Sequence, residues 1–153
     1  MSDQGPPEPA GSGGSSAIEI ELELDEVGGR APAGLPTGED LRRLVETAAA
    51  AAGVVDGHVA ISIVGEQTIH QLNREHRDKD KPTDVLSFPI DGAGPAVGAR
   101  ELGDVVICPE HTIDLREAVV HGVLHLVGFD HETDSGEMLA VQAQILEWAP
   151  APG

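Results

Sequence analysis

A chain of 153 residues with two phenylalanines, one tryptophan and no tyrosine has room for one domain and not for two, and its core must be assembled from Ala, Val, Leu and Ile. No stretch reaches the roughly eighteen consecutive apolar residues of a membrane span, and a lone cysteine, Cys108, excludes an internal disulfide and fits a reducing, cytoplasmic compartment. The formal charge of −18 argues against a broad basic surface for nucleic acid, but leaves room for a local one.

Residues 1–17 are rich in Gly, Pro and Ser and have too little apolar content to offset ordering entropy, so a disordered tail is expected there and a folded domain over 18–150. The opening Met-Ser-Asp-Gln-Gly-Pro-Pro has neither the basic start nor the apolar run of an export signal. Ile18 to Leu24 alternates as Ile-Glu-Ile-Glu-Leu-Glu-Leu, the period of a half-exposed strand with its acids to water. Glu39 to Ala52 carries Leu41, Leu44, Val45 and Ala48 on one helical stripe and stops at Gly53. His58 to Val64 alternates again as a strand, and Glu66 to His76 has Ile69 and Leu72 at helical spacing. Strands are expected over Val85–Ile90, whose start follows Pro82, and over Gly103–Cys108, with Cys108 a buried small hydrophobe in an apolar run. A helix is predicted from Ile113 to Val127 with Thr112 as N-cap and Asp114 near its positive end. A last one spans Ser135 to Trp148, burying Met138, Val141, Ile145 and Trp148. Four strands and four helices without a repeat make an α+β fold, a single domain with one mixed four-stranded sheet.

The chemistry lies in His121-Gly-Val-Leu-His125-Leu-Val-Gly128-Phe-Asp130-His131. Histidines four apart on a helix share a face, with Cβ atoms roughly 5–6 Å apart. A continuing helix would carry His131 to another face; Gly128, able to adopt a left-handed conformation, ends the helix and lets the chain bring His131 back. Three neutral imidazoles suit one Zn²⁺ or a similar ion and leave a position for water or substrate, as in a catalytic site. The competing view is two ordinary helix residues and a loop residue. The skeleton is also that of the metzincin peptidases, which place Glu directly after the first histidine as general base; Gly122 stands there, so a zinc peptidase is disfavoured.

Four of the nine basic residues, Arg74, Arg77, Lys79 and Lys81, fall within eight positions, a patch where an anion can bind, although Glu75, Asp78 and Asp80 offset it and a plain solvated loop reads equally well. Glu117, four residues before His121, is a candidate hydrogen-bond partner for that histidine, and Asp130 for His131 or for the turn. His58, His70 and His111 have no partner at ligand spacing.

Two blocks, Leu72 to Pro89 and His121 to His131, together with Leu102-Gly-Asp-Val-Val-Ile-Cys-Pro109, resemble the YbeY endoribonucleases, a family of rRNA maturation factors and metal-dependent hydrolases. Weaker similarity runs from Ile18 to Leu146, and the stretch from Pro109 to His121 is shorter than the family pattern. The resemblance implies a zincin-like helix with His121, His125 and His131 as ligands of one zinc ion, and an Arg77 needed for activity. It further implies action on single-stranded RNA, chiefly rRNA precursors, in rRNA maturation and ribosome quality control, with the ribosome or ribosomal proteins as partners and no DNA or membrane partner. On this reading catalysis rests on Arg77 and His121 and substrate contacts on Arg74, Arg77, Lys79 and Lys81, with metal-assisted attack on a phosphodiester by water or by the RNA's own 2′-hydroxyl. The alternative is a non-catalytic ribosome-associated assembly factor whose zinc is structural.

Overall fold

The computed structural model describes residues 18–25 and 30–152, so the tail expected over 1–17 lies outside the described residues. Strands β1 (Ile18–Leu24), β2 (Gly57–Ile63), β3 (Val85–Pro89) and β4 (Glu101–Ile107) form one sheet in the order β1-β2-β4-β3. β1, β2 and β4 run parallel; β3 is antiparallel to β4 and forms an edge. The parallel pairs are joined by helices, as such connections require: α1 (Gly38–Ala50) links β1 to β2, and α2 (Glu66–Arg77) lies between β2 and the β3–β4 pair. A single 3₁₀ turn, Pro109–His111, leads into α3 (Leu115–Leu126), and α4 (Glu137–Trp148) closes the chain. The α+β architecture with a mixed sheet and four helices is as the sequence predicts.

The two faces of the sheet are covered unequally. Ile18, Val59, Ile61, Ile63, Leu102, Val105 and Ile107 point inward beneath α1, α3 and α4 and join one large apolar cluster. A smaller cluster of Val64, Ile69, Leu86, Val106 and Cys108 forms where α2 packs on the opposite side.

α3 is buried on nearly every side, with Ala118, Val119, Val120, Val123, Leu124 and Leu126 in the core. Its approach to the sheet is close: a Cβ on Gly122 would stand 2.5 Å from Val105 Cγ1. The Ser87 hydroxyl on β3 donates to the Gly122 carbonyl at 2.9 Å, tying edge strand to helix at that point.

Both C-terminal helices start later than their sequence periodicity suggests. Thr112 does not cap α3, because its hydroxyl donates to the Cys108 carbonyl (2.7 Å) within the 3₁₀ turn; Asp114 caps instead, accepting from the N–H groups of Arg116 and Glu117. Ile113, expected inside the helix, is exposed before it. α4 begins after Gly136 (φ +104°), with Asp134 accepting from the Gly136 and Met138 N–H groups. Its buried stripe is also rotated from the expected one: Met138, Gln142, Ile145 and Ala149 are covered, whereas Val141 is half-buried and Trp148 is 37% exposed. Apolar spacing favours Val141 because Gln142, the residue that faces inward, is polar.

Candidate metal centre

His121 and His125 leave α3 one turn apart, and the helix ends immediately after them. Gly128 adopts φ +108°; its N–H donates to the His125 carbonyl and the Phe129 N–H to the Leu124 carbonyl. These are the paired bonds of a Schellman motif, with the partly buried Phe129 ring packed against the main core. The turn then returns His131 to the other two: the three ligand nitrogens lie within 4.8 Å of one another, and the ring centroids are 4.8, 5.1 and 5.3 Å apart.

Two of the three imidazoles are held from behind. His125 Nδ1–H donates to the Phe129 carbonyl at 2.9 Å, so the turn that stops the helix also orients a ligand. His121 Nδ1–H donates to Gln142 Oε1 on α4 at 2.8 Å. With Nδ1 carrying the proton, each ring keeps a lone pair on Nε2, as coordination requires. Burial, reinforced by the neighbouring His121, pushes the His125 imidazole below its ordinary value and favours the neutral form that binds metal. Donor number and donor type therefore fit one borderline divalent ion, which His121, His125 and His131 would hold.

These residues line a cleft of about 760 Å³ at the β3 edge, together with Arg77, Lys79, Lys81, Asp84, Ser87, Asp130 and Glu132. Of the four basic residues singled out from the sequence, Arg77, Lys79 and Lys81 thus share a cleft with the histidines. Arg74 does not line it and instead approaches Asp80 at 4.0 Å. Arg77 is the last residue of α2; its Nη2 donates to the Ser87 carbonyl at 2.6 Å and its Cζ lies 5.4 Å from the Phe88 ring centroid. Ser87 therefore joins Arg77 to the ligand helix, its carbonyl engaging the guanidinium and its hydroxyl the Gly122 carbonyl. Asn73 shapes the basic loop beyond α2: its side-chain amide donates to the Lys81 carbonyl, its own carbonyl accepts from the Lys79 N–H, and Asp78 between them is left-handed (φ 61°).

Several expectations need correction or completion. The partner of His121 is Gln142 and not Glu117, which is exposed. Asp130 stabilises the turn, its carboxylate accepting from the Glu132 N–H. His58, His70 and His111 each face a carboxylate, of Glu101 and Glu21, of Asp80 and of Glu66 respectively, and none joins a metal cluster among the described residues. Gln142 and Asn73 are site residues that the sequence reading does not single out, and Ser87, which lies in the matched strand block, reads there as well by core packing as by function; a polar residue on an otherwise apolar helical stripe is the available signal for Gln142.

An α+β domain that gathers three imidazoles at the end of a core helix, beside an open cleft, is built to hold a metal ion where a substrate can reach it. The family model of Endoribonuclease YbeY matches residues 37–149, and the chain belongs to that family. A Bacillus pumilus protein named Endoribonuclease YbeY is 38% identical over 132 residues, covering 71% of this chain and 83% of its own length. A Rubrobacter xylanophilus protein of the same name is 44% identical over 94 residues, covering 60% of this chain and 67% of its own. A solution structure of a Thermotoga maritima protein, 26% identical, aligns over 86% of this chain and 88% of its own with a TM-score of 0.48.

Proposed function

We propose that this chain is a zinc-dependent endoribonuclease that cleaves single-stranded RNA, chiefly rRNA precursors, in the cytoplasm at or near the ribosome. The observation that carries this reading is the three-imidazole cluster sharing one cleft with Arg77, Lys79 and Lys81. Zinc held by His121, His125 and His131 supplies a Lewis acid and lowers the pKa of water to about 7.

The protein's own groups do the rest. Arg77 presents a planar array of donors, one of them already fixed on the Ser87 carbonyl, and its remaining N–H groups suit the charge that develops on phosphate oxygens during cleavage. Lys79 and Lys81 contribute sequence-independent attraction for the phosphate backbone. Arg74, one turn earlier on α2, would meet flanking nucleotides from outside the cleft, in competition with Asp80 at 4.0 Å. No carboxylate follows His121, and the space that a side chain on Gly122 would need is filled by Val105, which speaks against a peptidase mechanism with its base at that position.

Cleavage of a single-stranded rRNA fragment by zinc-loaded protein, run beside His131→Ala at matched folding, tests this function. Cleavage lost in the variant is expected. The product ends identify the nucleophile, since a 2′,3′-cyclic phosphate reports attack by the 2′-hydroxyl and a linear phosphate reports water. Tight zinc binding and RNA binding with no turnover would replace this reading with that of a non-catalytic assembly factor.

A further inference from the structure

The stripe that α4 turns toward the core runs Met138, Gln142, Ile145, Ala149, with exposures of 0, 8, 1 and 2%. An amide in the middle of it is costly, because a buried amide without a partner forfeits its hydrogen bonds to water, and an aliphatic side chain would suit the position better. Gln142 does have a partner, and the partner is a ligand ring, since its Oε1 accepts from His121 Nδ1–H at 2.8 Å. Among the described residues this is the one side chain hydrogen-bonded to any of the three imidazoles: His125 is held by a backbone carbonyl, and the His131 ring meets the other two rings without a hydrogen bond. We propose that Gln142 is a positioning residue for the metal centre, which selects the Nδ1-protonated tautomer of His121 and aims its Nε2 at the ion.

The inference rests on the metal-centre reading above and deepens it. Its physical content is the direction of the amide. With Oε1 toward the ring, Nδ1 is the donor and Nε2 the ligand; with the NH₂ group toward the ring, Nδ1 would have to accept and Nε2 would carry a hydrogen where the ion belongs. The first arrangement is the one the structure holds, with Oε1 2.8 Å from Nδ1, on a residue set between the buried Met138 and Ile145 of the same helix. α4 thus acts on the centre through a single side chain, without itself supplying a ligand.

The test is ¹⁵N NMR of the histidine rings in the metal-free full-length chain, together with zinc titration against a competing chelator, for wild type, Gln142→Leu and Gln142→Glu. In the wild type, His121 is expected to carry its proton on Nδ1. Gln142→Leu should shift the ring toward the Nε2-protonated form and weaken zinc binding about 10–100-fold. Gln142→Glu retains an acceptor and should restore both the tautomer and the affinity, which a purely structural loss would not do. An unchanged tautomer and affinity in Gln142→Leu overturns the inference and makes Gln142 a packing residue; should that variant fail to fold, a Gln142→Glu that folds but loses zinc affinity overturns it equally. Failure of the wild type to bind zinc is a different result, one that overturns the metal-centre reading and the inference with it.

Discussion

His58 on the outer face of the sheet and His125 in the cleft are the same side chain in opposite surroundings. His58 lies between Glu101 (2.5 Å) and Glu21 (3.2 Å), and the Glu101 carboxylate raises its pKa above the ordinary value. His125 is lowered, by burial first and by His121 second. The difference follows how the chain sorts its charge. β1 presents Glu19, Glu21 and Glu23 on the exposed sheet face, where β4 adds Glu101 and Asp104; a hydrogen bond with Glu21, and then that neighbour's charge, raises the pKa of Glu23, while burial raises that of Asp104. The cleft is lined by the three imidazoles, by Arg77, Lys79 and Lys81, and by Asp84, Asp130 and Glu132. A net charge of −18 is therefore unevenly spread: the sheet face around His58 is acidic, whereas the cleft lining matches its acids with as many cations.

Breaking the cleft half should have the largest effect. His125→Ala is expected to abolish zinc binding and RNA cleavage together, read by metal content of the purified protein and by single-turnover cleavage. Next, Arg77→Ala should lower kcat by about 10²–10³-fold, the usual scale for losing one donor to a developing charge, with zinc content unchanged. Arg77→Lys should recover little of it, since an ammonium cannot reproduce the planar fork. Smaller still, the Lys79→Ala/Lys81→Ala pair should weaken binding evenly across RNA sequences and flatten the salt dependence by about 0.7 for each phosphate no longer neutralised. Equal affinity for RNA at low and high salt in the wild type would contradict the assignment of this rim.

The two histidines sharpen the comparison through pH. A raised pKa at His58 stabilises the fold fully below its unfolded value of about 6.5, and that contribution is lost as pH rises through the folded value. The lowered pKa of His125 acts in the other direction, disfavouring the metal-free fold as pH falls from about 6.5 through its folded value. His58→Ala should therefore remove the alkaline decline in thermal stability, an effect under about 1 kcal/mol for so exposed a pair, and leave RNA cleavage intact. Melting curves of the metal-free protein across this range check both signs.

Features with a fixed period or spacing are the ones legible in the sequence. Strict alternation places β1 at Ile18–Leu24, and the four-residue step from His121 to His125, followed by Gly128, places the ligand trio. What is not legible depends on a partner distant in the chain. Gln142 reads as a surface residue until α4 is laid against α3, because the choice between the 141 and 142 faces is decided by packing and not by period. Ser87 looks like any small strand residue until its hydroxyl meets the Gly122 carbonyl 35 positions later. The cap of α3 falls two residues beyond its expected place because Thr112 and Asp114 are both good caps, and a 3₁₀ turn engages the first.

The close approach of Gly122 to Val105 constrains how this scaffold can be altered. Changing Gly122 to glutamate, the one replacement that would install the peptidase base, drives a Cβ to 2.5 Å from Val105 Cγ1 before any carboxylate is in place. Trimming Val105 first opens the space but leaves a void under the ligand helix until the glutamate arrives. Installing a glutamate at this position therefore calls for a change at Val105 as well, a constraint set by two methyl groups on β4 and not by the metal ligands.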